Sequence, residues 1–343
     1  MKKIAFLSLF LILLLLSGCA GEAAVSGTLP QPENRLVVYT SHKEEVYQPI
    51  IREFEERTGI WVELVTGGSY ELLEQIEAEK AAPKADVMFG GGVESLESYR
   101  HLFQPIRCQD WEQISASLRQ SEDLWTPFSA LPLVLIYNPK LVDPSHLTGW
   151  QDLTREEFRG KIAFADPTKS ASSFTAVVTM LRSCGEETLG QVACCLDGCQ
   201  LSSSGEVLRA VADGEALVGV TLEETALQRI AAGANLGLVY PSEGTSCVPD
   251  GTAVVAGAPH PESARSFLDF TVSREVQQLL GSRFFRRSVR RDVTVPASLP
   301  AMDQLTLMEY DVRWASENRE TILALWANAL EEEAHGDSEK VLS

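Results

Sequence analysis

The fold is decided by residues 37–60, VVYTSHKEEVYQPIIREFEERTGI, in which a strand-like apolar run gives way to a charged helical pattern. In the second part, apolar residues recur at positions 46, 50, 51 and 54, which is the spacing of one helix face. The same succession of strand and helix follows at 61–65 and 70–81, and it continues for about 200 residues. Repeated βα units predict an α/β fold with mainly parallel sheets.

Two extended apolar passages, at 125–139 and 250–256, interrupt this alternation. Their positions suit a chain that forms two lobes, each a mainly parallel sheet flanked by helices, joined by two crossover strands that act as a hinge. We therefore expect lobe 1 to contain residues 35–135 plus 251–343, and lobe 2 to contain residues 136–250. Helical patterns dominate the tail from residue 262 onward, and the stretch 302–310 is one of them.

The N-terminus has the pattern of a bacterial export signal. Two lysines precede an apolar run of 13 residues, 4–16, which is too short for a bilayer-spanning helix. The following Leu16-Ser17-Gly18-Cys19 resembles the lipobox of bacterial lipoproteins. We expect a signal peptide over 1–18, lipidation of Cys19 and a lipidated flexible tether over 19–34, which places the protein outside the cytoplasm on the cell membrane. An uncleaved anchor and an ordinary signal peptide are the alternatives.

Composition narrows the functional classes. The formal net charge is −19, and an acidic chain without a basic stripe is a poor nucleic-acid binder. One basic cluster, 283–291, is expected to be a solvated surface or a permease contact. Cys184 precedes Cys194, Cys195 and Cys199, and in an exported protein this favours a local disulfide from Cys184 to one of the three. Free thiols are the alternative, and the pairing stays open.

Polar and glycine residues follow the predicted strands at one junction after another. Ligands of open α/β sheets bind at the carboxyl ends of strands, where the next helix offers free N–H groups and the positive end of its dipole. Such ends can hold an oxyanion without arginine or lysine. A turn or cap role is the alternative at each junction. The candidate ligand-binding residues are Thr40, Ser41, His42, Gly68, Ser69, Gly90, Gly91, Gly92, Ser170, Ser172, Ser173, Thr221, Glu223 and Glu243.

Four stretches covering about residues 35–290 resemble the ferric-iron-binding family and its relatives, which are ABC-transporter solute-binding proteins of the periplasmic type 2 class. They are 37–64 (VVYTSHKEEVYQPIIREFEERTGIWVEL), 67–92 (GGSYELLEQIEAEKAAPKADVMFGGG), 160–174 (GKIAFADPTKSASSF) and 239–270 (VYPSEGTSCVPDGTAVVAGAPHPESARSFLDF). The resemblance implies a two-lobed receptor that closes on one solute in its cleft and delivers it to the permease and ATPase subunits.

The resemblance also bears on the ligand. Ferric members hold iron with a histidine in the first turn, a glutamate after the third strand and two adjacent tyrosines in the second lobe. His42 matches the first, but Gly91 stands near the glutamate position, and Leu222 to Glu224 stand where the tyrosine pair is expected. Fe(III) needs anionic oxygens, so a tyrosine-type ferric site is not expected. Replacement of a carboxylate by glycine favours an anion, because it removes negative charge and exposes N–H groups.

The sequence therefore predicts a monomeric binding lipoprotein that takes an organophosphate or other oxyanion, such as a sugar phosphate or a phosphonate. No cofactor and no resident metal are expected. Glu223 and Glu243 are expected to accept hydrogen bonds from sugar hydroxyls or to pair with a ligand amine. The alternatives are a ferric-iron-binding protein with other ligands, an extracellular hydrolase and a ligand-sensing module. No G-x-S-x-G or H-E-x-x-H signature supports the hydrolase, and no catalytic residue is predicted.

Overall fold

The computed structural model describes residues 34–119, 122–296 and 299–340, with side chains described as far as residue 331. The predicted signal peptide, Cys19 and all of the predicted tether except Asn34 lie outside these residues. In the described ranges, no helix is both long enough and apolar enough to cross a bilayer.

The strands β1 to β9 are Arg35–Thr40, Trp61–Thr66, Val87–Gly92, Thr126–Tyr137, Ile162–Ala163, Val218–Leu222, Gly237–Val239, Cys247–Val254 and Arg287–Ser288. The α-helices α1 to α10 are Glu44–Thr58, Ser69–Glu79, Val93–Ser98, Ala171–Cys195, Ser204–Asp213, Glu223–Ala231, Pro261–Thr271, Arg274–Phe284, Val312–Glu317 and Arg319–Lys340.

The strands form a mixed sheet in the order β2-β1-β3-β8-β4-β6-β5, with β7 and β9 also paired to β4. The parallel pairs that the βα alternation predicts are present, β1 with β2 and β3, and β5 with β6. The two extended passages form β4 and β8, which pair antiparallel with each other and with their neighbours. The sheet as a whole is therefore mixed rather than mainly parallel, because these two strands cross it in opposite directions.

The 12-residue strand β4 divides the molecule into two halves. Its first part, Thr126–Pro132, pairs with β8, and its second part, Leu133–Tyr137, pairs with β6. Each half has its own core: one is built around Phe54, Phe89 and Phe267, and the other around Trp150, Phe164 and Trp326. A strand that belongs to both cores joins the halves without a loop.

The first helix illustrates how the sequence builds these cores. Val46, Ile50, Ile51 and Phe54 are buried on one face of α1, as their spacing predicts. The helix ends at Gly59, whose φ of 70° is the left-handed conformation that glycine adopts without steric cost. Burial of this face against β1 fixes where the loop before the helix, with Ser41 and His42, must lie.

The C-terminal tail departs from the sequence prediction. Residues 302–310 form only a 3₁₀ turn, Met302–Gln304, followed by extended chain, and the helices are α9 and α10. Ala315, Ile322 and Trp326 from these helices pack in the core of the second half. We propose that the lobes divide where β4 changes partners and that the end of the chain belongs to lobe 2. This proposal differs from the predicted assignment of all of 251–343 to lobe 1, because Trp326 is buried in the core of the second half.

The predicted local disulfide is absent at its first cysteine. Cys184 is half-buried and carries a free thiol, as do Cys108, Cys199 and Cys247. Cys184 lies one residue before Gly185, where the backbone is non-helical and α4 is kinked (φ 85°, ψ 173°). This kink could not be predicted from the spacing of the cysteines alone.

Candidate functional site

A cavity of about 450 Å³ lies where the two halves face each other. The first half contributes the loops after β1, β2 and β3, and the second contributes the starts of α4 and α5. Leu131 and Val248 of the crossing strands form part of its wall. The carboxyl ends of strands and the beginnings of helices therefore meet in one cleft, which is the position at which α/β sheets bind ligands.

Eight of the predicted residues line this cleft. Ser41 and His42 come from the turn after β1, and Gly91 and Gly92 end β3. The glycine that caps α2 and the first serine of that helix also line it, as do two serines at the start of α4. The eight residues are Ser41, His42, Gly68, Ser69, Gly91, Gly92, Ser170 and Ser172.

Four predicted residues lie outside the lining and have structural surroundings. Thr40 is fully buried, and its Oγ1 accepts a hydrogen bond from the His42 N–H at 3.2 Å. The N–H of Ser173 is capped by Ser170 Oγ at 3.4 Å. Gly90 and Thr221 are buried within β3 and β6. These residues shape or support the cleft and do not contact its space.

The two predicted carboxylates, Glu223 and Glu243, have hydrogen-bond partners within the protein. Both oxygens of Glu223 accept hydrogen bonds from Arg287, each at 2.7 Å, and Tyr240 also donates to Glu223. The exposed Glu243 accepts a hydrogen bond from the Gln151 N–H at 3.0 Å. Neither lines the cleft.

Sequence reasoning missed several wall residues. Ser202, Ser203 and Ser204 begin α5, a helix that was not predicted although Ser203 and Glu206 have the spacing of an N-terminal capping box. The other missed polar residues are Glu94, Lys169, Thr175, Asp250 and Arg286. Arg286 was expected on a solvated surface, but it is only 7% exposed.

The glycine run after β3 has two different explanations. Gly90 and Gly91 have φ values of 100° and 85°, where the pairing of β3 with β8 shifts register, so the backbone itself requires glycine. A Cβ at Gly90 would also lie 2.9 Å from His42 Cδ2. Gly92, by contrast, has an ordinary φ of −59°. The backbone at Gly92 does not require glycine, but a side chain there would collide with the carboxylate of Glu94.

His42, Asp250 and Arg286 form the floor of the cleft. Asp250 Oδ1 accepts hydrogen bonds from the N–H and the hydroxyl of Ser129, both at 2.8 Å, and its Oδ2 pairs with Arg286. Arg286 also donates to Glu224 of the second half at 3.1 Å. Burial, and next the positive charge of Arg286, lowers the pKa of His42 well below its usual value. At neutral pH the imidazole is therefore uncharged.

Glu94 lies at the junction of the halves. Its Oε1 accepts hydrogen bonds from Thr175 Oγ1 of α4 at 2.6 Å and from the Tyr310 hydroxyl at 2.7 Å. Burial raises the pKa of the Glu94 carboxyl, while the hydrogen bonds from Thr175 and Tyr310 oppose that change. One carboxylate thus ties the first half to the second half and to the C-terminal segment.

The formal charges of the lining side chains cancel. Lys169 and Arg286 contribute +2, Glu94 and Asp250 contribute −2, and the sum is zero. Lys169 pairs with Asp166 at 3.2 Å, so each cation has a carboxylate partner. In the described residues, no group of three or more His, Cys, Asp or Glu side chains could hold a metal ion. The cleft therefore offers hydroxyls, amides and paired charges.

Comparison with known proteins identifies the architecture. The periplasmic binding protein AfuA from Actinobacillus pleuropneumoniae, solved with exogenous fructose-6-phosphate bound, superposes with a TM-score of 0.79 at 24% identity, covering 87% of this chain and 98% of AfuA. The iron uptake protein A1 of Synechocystis sp. is 26% identical over 310 residues, 84% of this chain and 86% of that protein. A Salmonella typhimurium protein named "Putative 2-aminoethylphosphonate-binding periplasmic protein" is 24% identical over 258 residues, 72% of this chain and 75% of that protein.

The predicted two-lobed type 2 fold is confirmed by the structural likeness. The model of the family "Bacterial extracellular solute-binding protein" matches residues 36–286, which is most of the chain. Its relatives are transport proteins and not enzymes, which excludes the hydrolase. The chain therefore belongs to the bacterial extracellular solute-binding proteins, and it captures a small solute outside the cytoplasm for an ABC importer.

Proposed function

We propose that the captured solute is an organophosphate or a comparable small oxyanion, such as a sugar phosphate or a phosphonate. The observation that carries this proposal is the convergence of three helix starts, those of α2, α4 and α5, on one cavity. Each brings serine hydroxyls and first-turn N–H groups, which are the donors that tetrahedral oxyanions accept from.

The balance of charge in the walls supports donors rather than cations as the binding groups. Since Lys169 and Arg286 are both paired with carboxylates, charge on the solute must be met mainly by hydroxyls and amides. The volume of about 450 Å³ lies within the range of small-molecule sites. A solute of the size of a sugar phosphate suits these walls.

The names of the relatives support an oxyanion as the solute but also include iron. AfuA was solved with fructose-6-phosphate, and the Salmonella protein is named for 2-aminoethylphosphonate, whereas the Synechocystis protein is named for iron uptake. Ferric iron with non-tyrosine ligands is the second candidate, because His42 and Asp250 lie 3.7 Å apart in the cleft. Against iron, Asp250 is already bound by Ser129 and Arg286.

Ligand-dependent stability tests the proposal. The mature protein would be heated with fructose 6-phosphate, 2-aminoethylphosphonate, inorganic phosphate or Fe(III), and mass spectrometry would identify any solute that remains bound after purification. A ligand present at one hundred times its Kd stabilises the folded state by about 2.7 kcal/mol. Ser172→Ala should weaken binding of the phosphate compounds. Ser282 is an exposed serine of α8, so Ser282→Ala serves as the control and should not weaken binding. Stabilisation by Fe(III) alone would overturn the proposal.

We also propose that Cys19 is lipidated and that the mature protein is a monomer on its anchor. The support is the lipobox-like Leu16-Ser17-Gly18-Cys19 behind an apolar run. Radiolabelled palmitate should label the expressed protein, and Cys19→Ala should abolish the label and release the protein from membranes. Analytical ultracentrifugation of a soluble form that begins after Cys19 tests the oligomeric state. Labelling that persists in the Cys19 variant would contradict the assignment.

A further inference from the structure

Glu94 has one carboxylate oxygen that the protein does not use. Its Oε1 accepts two hydrogen bonds, but Oε2 has no hydrogen-bond partner among the described residues. The residue is 3% exposed and lines the cleft. A buried polar oxygen without a partner is unfavourable, so such an oxygen in a binding cavity requires an explanation.

Gly92 provides the space beside this oxygen. A Cβ at Gly92 would lie 2.8 Å from Glu94 Oε2, closer than a carbon and an oxygen pack. The backbone of Gly92 is ordinary, with φ −59° and ψ 141°, so any residue could adopt it. Glycine in such a conformation loses chain entropy on folding without a steric need. The absence of a side chain at Gly92 allows Oε2 to occupy its position.

We propose that Glu94 Oε2 accepts a hydrogen bond from an N–H or O–H group of the bound solute, next to its phosphoryl group. The inference rests on the proposed function and narrows it to phosphate compounds that carry a donor, either an ammonium or a hydroxyl. It gives Glu94 the role that the sequence had assigned to Glu223 and Glu243.

The hydrogen bond between Glu94 and Thr175 links solute binding at Oε2 to the junction of the two halves. Glu94 belongs to the first half, while Thr175, which donates to Oε1, belongs to the second. A solute donor on Oε2 binds the same carboxylate that joins the halves. Closure of the cleft and recognition of the donor are then linked through one side chain.

Glu94→Gln reverses the hydrogen-bonding character of this position with almost no change in shape. Thr175 and Tyr310 both donate to Oε1, and the glutamine orientation that keeps these two hydrogen bonds turns the amide oxygen toward them and the NH₂ group toward the cleft. Glu97→Gln is the matched control, since Glu97 is also buried on α3 but does not line the cleft. Gly92→Ala is a second variant, which keeps the carboxylate group but displaces its Oε2 from the present position.

Calorimetric titration of the mature protein with three probes tests the inference. Ethanolamine phosphate carries an ammonium, fructose 6-phosphate carries hydroxyls, and ethyl phosphate carries no donor outside its phosphoryl group. At least one donor-bearing probe should bind the wild-type protein at least tenfold more tightly than ethyl phosphate. Glu94→Gln and Gly92→Ala should reduce that preference about tenfold or more, and Glu97→Gln should retain it. The probe that loses affinity identifies the donor as ammonium or hydroxyl.

The outcomes separate this inference from the proposed function. If no phosphate compound binds the wild-type protein, the proposed function fails and the inference fails with it. If ethyl phosphate binds the wild-type protein as tightly as both donor-bearing probes, the inference is wrong while the proposed function stands. That comparison needs no variant, so it holds even if Glu94→Gln does not fold. Equal preference in wild type, Glu94→Gln and Gly92→Ala also overturns the inference.

Discussion

Glu223→Ala should destabilise the protein far more than an ordinary surface substitution, although the sequence suggested a ligand role for this residue. Glu223 and Arg287 have side chains that are 1% and 2% exposed, and two hydrogen bonds of 2.7 Å join them. The pair fastens α6 of the second half to β9. Removal of the carboxylate leaves a guanidinium inside the protein without its counter-charge.

The size of this effect follows from burial. Breaking a buried ion pair by removing one partner costs about 3–5 kcal/mol, because the remaining charge is neither hydrated nor paired. Glu243→Ala is the matched control, since Glu243 is exposed and accepts one backbone hydrogen bond. It should change the free energy of unfolding by about 1 kcal/mol or less.

Urea denaturation followed by tryptophan fluorescence measures both variants, with the free energy of unfolding taken by linear extrapolation. The double variant Glu223→Met/Arg287→Met should be more stable than Glu223→Ala, because it leaves no uncompensated charge. A loss below about 1 kcal/mol in Glu223→Ala, together with weaker solute binding, would refute this reasoning. It would return Glu223 to the set of ligand residues.

Four further expectations concern other parts of the molecule. Gly90→Ala should destabilise by more than about 1 kcal/mol because of its φ of 100° and the His42 ring, whereas Gly190→Ala, in open space on α4, should be neutral or stabilising in the same urea assay. Since burial lowers the pKa of His42, the unfolded chain binds a proton that the folded protein does not, so stability should fall as the pH drops below about 6.5, and His42→Gln should lessen that fall. Trp326→Ala should cost about 3–5 kcal/mol if the C-terminal helix completes the second core, and an unchanged urea midpoint would contradict that placement. Alkylation of the unfolded, unreduced protein should label Cys184, and a Cys184 that is blocked until reduction would restore the predicted disulfide.

Local sequence signals predicted the parts of the cleft that depend on local structure. Ser41, Ser69 and Ser170 each follow a strand and precede a helix, and the rule that ligands meet the carboxyl ends of strands was sufficient to choose them. The start of α5 at Ser204 carried a similar signal, but this helix follows α4 with no strand between them, so the alternation of strand and helix did not reveal it.

Residues whose surroundings come from distant parts of the chain could not be predicted. Arg286 reaches the cleft because Phe285, at φ 56°, ends α8 in a left-handed turn, and it then meets Asp250 and Glu224. The pairing of Glu223 could not be predicted for the same reason, since its partner Arg287 lies 64 positions later. Ion pairs between residues that are far apart in the sequence form only when the two halves pack, and no periodic pattern in the sequence predicts them.

The acidity of the chain and the chemistry of its cleft are separate matters. The formal charge is −19, yet the charges on the cleft walls sum to zero. Charges on the outer surface are screened over about 8 Å at physiological salt, so they contribute little to the field at the cleft. Within the cleft, Lys169, Asp250 and Arg286 each pair with an oppositely charged group of the protein, whereas Oε2 of Glu94 has no hydrogen-bond partner among the described residues. The proposed contact therefore predicts that selectivity among anionic solutes depends less on net attraction than on which solute supplies the donor for that oxygen.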